Sequence, residues 1–314
     1  MRKNIILALT VPTLLLSQPR EIEIPSSADG VRQSAVIYTP SKSKEPVPLV
    51  VALHSWSSNY KQTLNKPVQE FCVRNDWAYI HPDFRGPNRN PQATGSELAV
   101  QDVLDAVEYV KKNSPVDPSR VYLTGTSGGG YLSLLLAGRS PSTFAAVSAW
   151  VPISDLTVWY KDSSKRRNKY AREINQSCGG KPGSSSEVDL QYSLRSPNSW
   201  LHLARDVKID INAGIRDGHI GSVPISHSIN AYNILAHPQD RLTQAQIKFF
   251  DSKATIPPSL KTASKDQSYG NRQPIFRRSS GNARLTIFDG GHEMIPSALI
   301  KWLEDMKKIT SRIE

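Results

Sequence analysis

The stretch VYLTGTSGGGYLSLLLAG, residues 121–138, begins with β-branched and aromatic residues and ends in an apolar run of helical character. Between them lies Gly125-Thr126-Ser127-Gly128-Gly129-Gly130. A strand that turns into a helix through Gly-x-Ser-x-Gly is the setting in which a serine sits on a sharp turn with its Oγ projecting above a sheet. Glycines beside it let neighbouring backbones approach where a Cβ would clash. The N-terminal N–H groups of the following helix then point at any negative charge that develops there. Ser127 is therefore the candidate nucleophile; Ser133, Ser140 and Ser148 lack this setting. Glycines at a tight strand-to-helix corner are also compatible with a purely structural turn, so the partners of Ser127 decide.

A serine hydroxyl needs a base, and that base needs an orienting group. The chain order Ser…Asp…His calls for an acid after a later strand and a histidine beyond it. In LTIFDGGHEMI (285–295) a strand-like run ends, two glycines follow, and His292 leads into the last helix. In INAGIRDGHIGSVPISHS (211–228) Asp217 follows another strand-like run. Its carboxylate would accept the Nδ1–H of His292 and stabilise the imidazolium. Asp155 is a rival because it too follows a strand; Asp289 lies too close to His292, and Asp210 lies within a strand. His219 shares the loop of Asp217 and is poorly placed to reach Ser127, and His227 and His237 fall in or at the end of a helix. Two N–H donors are needed for an oxyanion: Gly128 supplies one, and Trp56 or Ser55, after LVVALH, the other.

Around these residues the chain alternates strands and helices. REIEIPSS and QSAVIYTP read as two strands about a turn at Ala28-Asp29-Gly30. The uninterrupted apolar run of LVVALHSW suits a strand buried on both faces. TLNKPVQEFCVRN reads as a helix, WAYIHPDF as a strand, and a helix capped by Ser96 carries Val100, Val103, Leu104 and Val107 at i, i+3, i+4 and i+7. VDPSR closes that helix, FAAVSAWVP, VKIDINAG and ARLTIF read as strands, and PISHSINAYNILA and MIPSALIKWLEDMKKI as helices. Residues 254–273 read as a polar, Pro- and Ser-containing loop. This alternation predicts a mostly parallel sheet with helices on both faces. Asp102 and Asp105 read as a solvated helix face.

The 314 residues, 38% hydrophobic and 21% charged, suit a soluble globular chain. The formal charge of +11 favours polyanions, yet the basic residues are scattered apart from Lys165-Arg166-Arg167 and Arg277-Arg278. With no basic helix carrying interleaved aromatics, the charge reads as solubility and no nucleic-acid partner is expected. At the start, Arg2 and Lys3 precede a short apolar run, residues 5–16, which reads as a secretory signal peptide. Residues 1–17 are the expected leader and 18–314 a single domain, exported to the periplasm or medium. An uncleaved membrane anchor is the alternative, and no membrane partner beyond the leader is expected. Cys72 and Cys178 follow no disulfide spacing rule. No His, Asp or Glu cluster has ligand spacing, so neither metal nor cofactor is expected.

With LHSW, DFRG, DPSRVYLTGTSGGG, DGHIGSVPISHS and DGGHE in place, the chain resembles the α/β-hydrolase superfamily. Within it the resemblance is to the catalytic domain of the prolyl oligopeptidase family and related single-domain secreted esterases. It implies an α/β-hydrolase fold with an eight-stranded type of sheet and makes Ser127, Asp217 and His292 the triad. Peptidases of that family carry a β-propeller before the hydrolase domain, and residues 19–48 are too short for one. The resemblance therefore implies a small ester substrate, such as an acylated carbohydrate, ahead of short peptides. A non-catalytic binding protein on the same scaffold is the remote alternative. Residues 153–205 are expected to form a cap in which Trp159, Tyr160, Arg195 and Trp200 are candidates for stacking on a substrate ring and Arg195 for binding a substrate carboxylate, with packing of the cap for its own stability the favoured alternative for each.

Overall fold

A computed structural model of the protein describes residues 18–40, 43 and 45–310, with side chains to 306. The predicted leader, residues 1–17, lies outside the described residues. The strands are β1 (Arg20–Pro25), β2 (Arg32–Tyr38), β3 (Val47–Leu53), β4 (Ala78–Pro82), β5 (Val116–Thr126), β6 (Ala146–Trp150), β7 (Lys208–Gly214), β8 (Pro274–Ser280) and β9 (Ala283–Phe288). They form one sheet in the order β1-β2-β4-β3-β5-β6-β7-β9-β8. The run from β4 to β9 is parallel, and β1, β2 and β8 join antiparallel at the two sides. This is the expected α/β-hydrolase architecture.

Every residue of β3 is buried, because helices cover both faces. Leu49, Val51 and Leu53 enter the core on one face, and Val50 and Ala52 the core on the other. The first core is covered by α2 (Glu97–Asn113), α3 (Gly128–Arg139) and α7 (Ser226–Leu235), the second by α1 (Lys66–Arg74) and α9 (Pro296–Thr310). Helix α2 follows its sequence signals. Ser96 Oγ accepts from Ala99 N at 3.1 Å, Glu97 opens the first turn, and Lys111 and Lys112 sit in the last. Helix α3 is buried from Gly128 to Gly138, as an all-round apolar helix must be. Residues 153–205 hold α4 (Leu156–Lys165), α5 (Lys169–Cys178) and α6 (Ser186–Leu194).

Several expectations are corrected. The sheet has nine strands rather than eight, because PIFRRSS forms β8, paired only to β9. Its leading proline and two arginines fit an edge and obscure it in sequence. Helix α8 (Gln244–Lys253) was also not expected, though Thr243 and Gln246 form a capping box at its start. VDPSR belongs to β5 instead of closing α2. A further correction concerns Asp102, which is buried rather than solvated. Its carboxylate takes Arg85 Nε at 2.5 Å and Nη2 at 3.0 Å, while Arg85 Nη1 reaches Asp29 at 2.7 Å. Asp105 accepts from Ser27 N and Oγ. Arg85, from the DFRG segment, thus ties α2 to the β1–β2 turn.

With the Arg85 and Asp102 side chains only 5% and 1% exposed, Asp102→Ala leaves a buried guanidinium half-paired. Urea unfolding should show a loss of about 3 kcal/mol, whereas removal of the exposed Lys301–Asp305 pair should leave the unfolding midpoint unchanged.

Candidate active site

Thr126, Trp150, Asn212 and Thr286 lie in one row across β5, β6, β7 and β9. Ser127 comes one residue beyond that row, Asp217 five and His292 six. All three therefore emerge at the carboxyl edge of the parallel strands, where open α/β sheets bind ligands.

Ser127 has φ 59° and ψ −116°, a conformation that costs a non-glycine residue ~1–3 kcal/mol. Tertiary bonds hold it there. Its N–H donates to Trp150 O and its carbonyl accepts Tyr131 N as α3 begins, both at 2.8 Å. The next residue meets the loop after β3 at very short range. A Cβ on Gly128 would lie 2.3 Å from Trp56 N and 2.5 Å from its Cα. Only glycine permits this approach, and it brings the backbone of Trp56 against the N-terminus of α3.

Asp217, 2% exposed, accepts His292 Nδ1–H on Oδ2 at 2.7 Å. Its Oδ1 accepts Gly218 N at 2.9 Å and Val223 N at 3.2 Å. The carboxylate is fixed by three donors, and a neutral His292 with Nδ1 protonated carries its lone pair on Nε2. Gly221 closes over the pair: a Cβ there would meet Asp217 Oδ1 at 2.2 Å and His292 Cβ at 2.7 Å. The rival acids are engaged elsewhere. Asp155 Oδ1 caps α4 by accepting Val158 N, Asp289 pairs with Arg216, and Asp210 binds Arg284 and Asn212 inside the sheet. His219 is exposed on the Asp217 loop, and His227 is buried, with its Nδ1 accepting Ser154 N. Burial pushes the His227 imidazole down to about 3.

The two candidates in the loop after β3 separate clearly. Ser55 N donates to Gln62 Oε1 at 2.6 Å, so Trp56 N is the donor that faces Gly128. The peptide joining them is pinned from several sides. His54 Nδ1–H donates to Ser55 O at 2.9 Å, Asn88 N donates to Trp56 O at 2.8 Å, and the indole Nε1–H donates to Glu173 Oε2 at 2.8 Å. His54 is fully buried and stacks on Phe84 at 3.8 Å; burial pushes its pKa down to about 4, so it is neutral at pH 7. Sequence spacing pointed to none of His54, Asn88 or Glu173 in this role; Glu173 is 117 residues from its partner.

The cap side chains correct the expected ligand contacts. Trp159 is fully buried, edge-on to Trp56 at 4.7 Å, with its Nε1–H on Ser222 O. It supports the Asp217 loop from beneath and offers no face to a substrate. Arg195 is also buried. Its guanidinium donates to the carbonyls of Pro91, Ala93 and Thr94 and to Gln191 Oε1, so it is not free for a carboxylate. Trp200 lies over Gly138 and under Arg139, and Tyr160 packs edge-on to Tyr192. Cys72 and Cys178 are free, buried thiols in different cores; burial pushes Cys178 up to about 12, which makes it unreactive.

The family model for the prolyl oligopeptidase family matches residues 70–243, more than half of the chain. The chain belongs to the prolyl oligopeptidase family. The acylamino-acid-releasing enzyme of Arabidopsis thaliana is 27% identical over 212 residues, 60% of this chain and 28% of that protein. The chain spans less than a third of the length of the acylamino-acid-releasing enzymes it matches. Among solved structures, a puromycin-hydrolyzing peptidase of Mycobacterium tuberculosis superposes with a TM-score of 0.62 at 16% identity, over 95% of this chain and 39% of its own. The acetyl xylan esterase of Paenibacillus sp. R4 gives 0.62 at 18% identity, over 93% and 85%. At these identities the two structures share the fold with this family member.

Because the Arg195 guanidinium satisfies three backbone carbonyls, Arg195→Met should lower unfolding free energy by about 2–4 kcal/mol. The same substitution at an arginine held free for a ligand would change it by no more than about 0.5 kcal/mol, as chemical unfolding of the two proteins checks.

Proposed function

We propose that the chain is a serine hydrolase that works through an acyl-enzyme on Ser127, with a small carboxylic ester as substrate. The observation that carries this reading is the 2.7 Å bond from His292 to the buried Asp217, at the same sheet edge as the strained Ser127 turn. Ser127 Oγ attacks the ester carbonyl carbon while His292 Nε2 takes its proton. The carbonyl oxygen becomes an oxyanion to which the N–H groups of Gly128 and Trp56 donate. Collapse breaks the C–O bond, and the leaving alcohol takes the proton from His292. Water then repeats the sequence, with His292 as base and then as acid, and frees the carboxylic acid and Ser127. Asp217 holds the imidazole in the productive tautomer and stabilises the imidazolium.

The ester reading draws support from the esterase neighbour, matched over 85% of its length, against 39% for the peptidase. An acylated carbohydrate is the class within it that we favour. Cleavage of short peptides is the second reading, favoured by the family and by the acylamino-acid-releasing relatives. Export through residues 1–17 belongs to the same proposal; sequencing the N-terminus of protein recovered outside the cell checks it.

Wild-type protein should be labelled by a fluorophosphonate and should turn over acetyl or feruloyl esters faster than a Pro-linked peptide amide. Ser127→Ala should abolish both labelling and turnover, and Asp217→Asn should lower kcat by about 10³–10⁴. Retained labelling in Ser127→Ala would overturn the assignment, and faster amide than ester turnover would transfer it to the peptidase reading.

A further inference from the structure

The cap helix α5 reaches the loop after β3 through charged side chains. Glu173, 6% exposed, accepts the Trp56 indole N–H on Oε2 at 2.8 Å. Its other oxygen lies 3.5 Å from Lys169 Nζ, and Lys169 Nζ donates to Ser57 Oγ at 2.6 Å, one residue beyond Trp56. The Glu173 backbone is itself held, since its carbonyl accepts Ser177 Oγ at 2.9 Å and Ser177 Oγ meets Thr94 Oγ1 at 2.8 Å. Around the indole stand Trp159, Tyr170 and Tyr131, with ring centroids at 4.7, 6.4 and 5.8 Å. A charged acceptor in such an apolar setting binds an N–H more strongly than a neutral one and fixes its direction. The side chain of Trp56 is thus clamped by the cap, while its backbone lies against Gly128.

We infer that Glu173 is a positioning residue for the oxyanion site: through the indole of Trp56 it sets the direction of the Trp56 N–H. The inference rests on the proposed role of that N–H in ester hydrolysis. It makes α5 part of the machinery that stabilises the oxyanion. Loss of the Glu173 acceptor leaves the buried indole N–H without a partner, and the shift of the Trp56 side chain that follows displaces its own backbone N–H against the anchors on Ser55 O and Trp56 O. Ground-state binding does not use the oxyanion donors fully, so the effect falls on kcat.

The test compares Glu173→Leu and Glu173→Gln with wild type on p-nitrophenyl acetate and on a trifluoromethyl ketone, which adds to Ser127 as an oxyanion. Glu173→Leu should lower kcat about 10- to 100-fold with KM within about threefold, and weaken the ketone by the same factor as kcat. Glu173→Gln keeps an acceptor for the indole and should recover kcat to within about fivefold of wild type. If Glu173→Leu does not fold, Trp56→Phe removes the same bond from its other end and should show the same split. Unchanged kcat in the folded variants, a loss confined to KM, or no recovery with glutamine overturns the inference and leaves the serine-hydrolase reading intact. A wild type that neither hydrolyses the ester nor reacts with the ketone overturns both.

Discussion

The backbone of Trp56 and the backbone of Gly128 touch, with no room for a single methyl group between them. That approach is possible because β3 and β5 are parallel neighbours whose carboxyl ends stop level, Leu53 beside Gly125. The chain leaving β3 must therefore pass over the turn leaving β5. Ser127 is driven to positive φ in this narrow space, and its amide is held by Trp150 O from the other side. The strain is tolerated because the sheet beneath it is buried on both faces and cannot yield locally.

Polar groups near that contact are ordered in layers. Asp217 is fixed by backbone donors and holds His292 in turn, with the crowded Gly221 against both. The Trp56 loop is fixed by His54, Gln62, Asn88 and Glu173. The cap reaches the Trp56 loop through Glu173 and the Asp217 loop through Trp159. One segment of the chain thereby supports both the Trp56 loop and the Asp217 loop. Its aromatic side chains face inward because an indole or phenol ring contributes more as buried surface than as an exposed platform.

Much of this could be read from residue order. Val100, Val103 and Val107 mark the buried face of α2, Ser96 marks its start, and the apolar run after Pro48 marks a strand covered on both sides. The positions of Ser127, Asp217 and His292 after successive strands were equally legible, because parallel connectivity brings every strand end to one edge. Asp102 was not legible. Its helical position resembles that of the exposed acids around it, and only the arrival of Arg85 from the preceding loop makes it a buried ion pair. Arg195 and Trp159 stayed open between ligand contact and packing for the same reason, since an arginine or tryptophan in an insertion reads either way until its partners are known. Strand β8 was hidden by its proline and arginines, which suit an edge and resemble a loop.

The sequence by itself determined the strand–turn–helix unit at Ser127, the parallel sheet, and the order in which Asp217 and His292 reach the same edge. Those features are local: they depend on backbone sterics at a few glycines and on apolar periods of two and 3.6 residues. Only the tertiary structure decided that Trp56 rather than Ser55 faces Gly128, that Glu173 holds its indole, and that Arg195 and Trp159 belong to the interior. Each of those depends on which groups meet across tens of residues or more, where burial removes water and leaves one hydrogen-bond partner. No period or spacing along the chain carries that information.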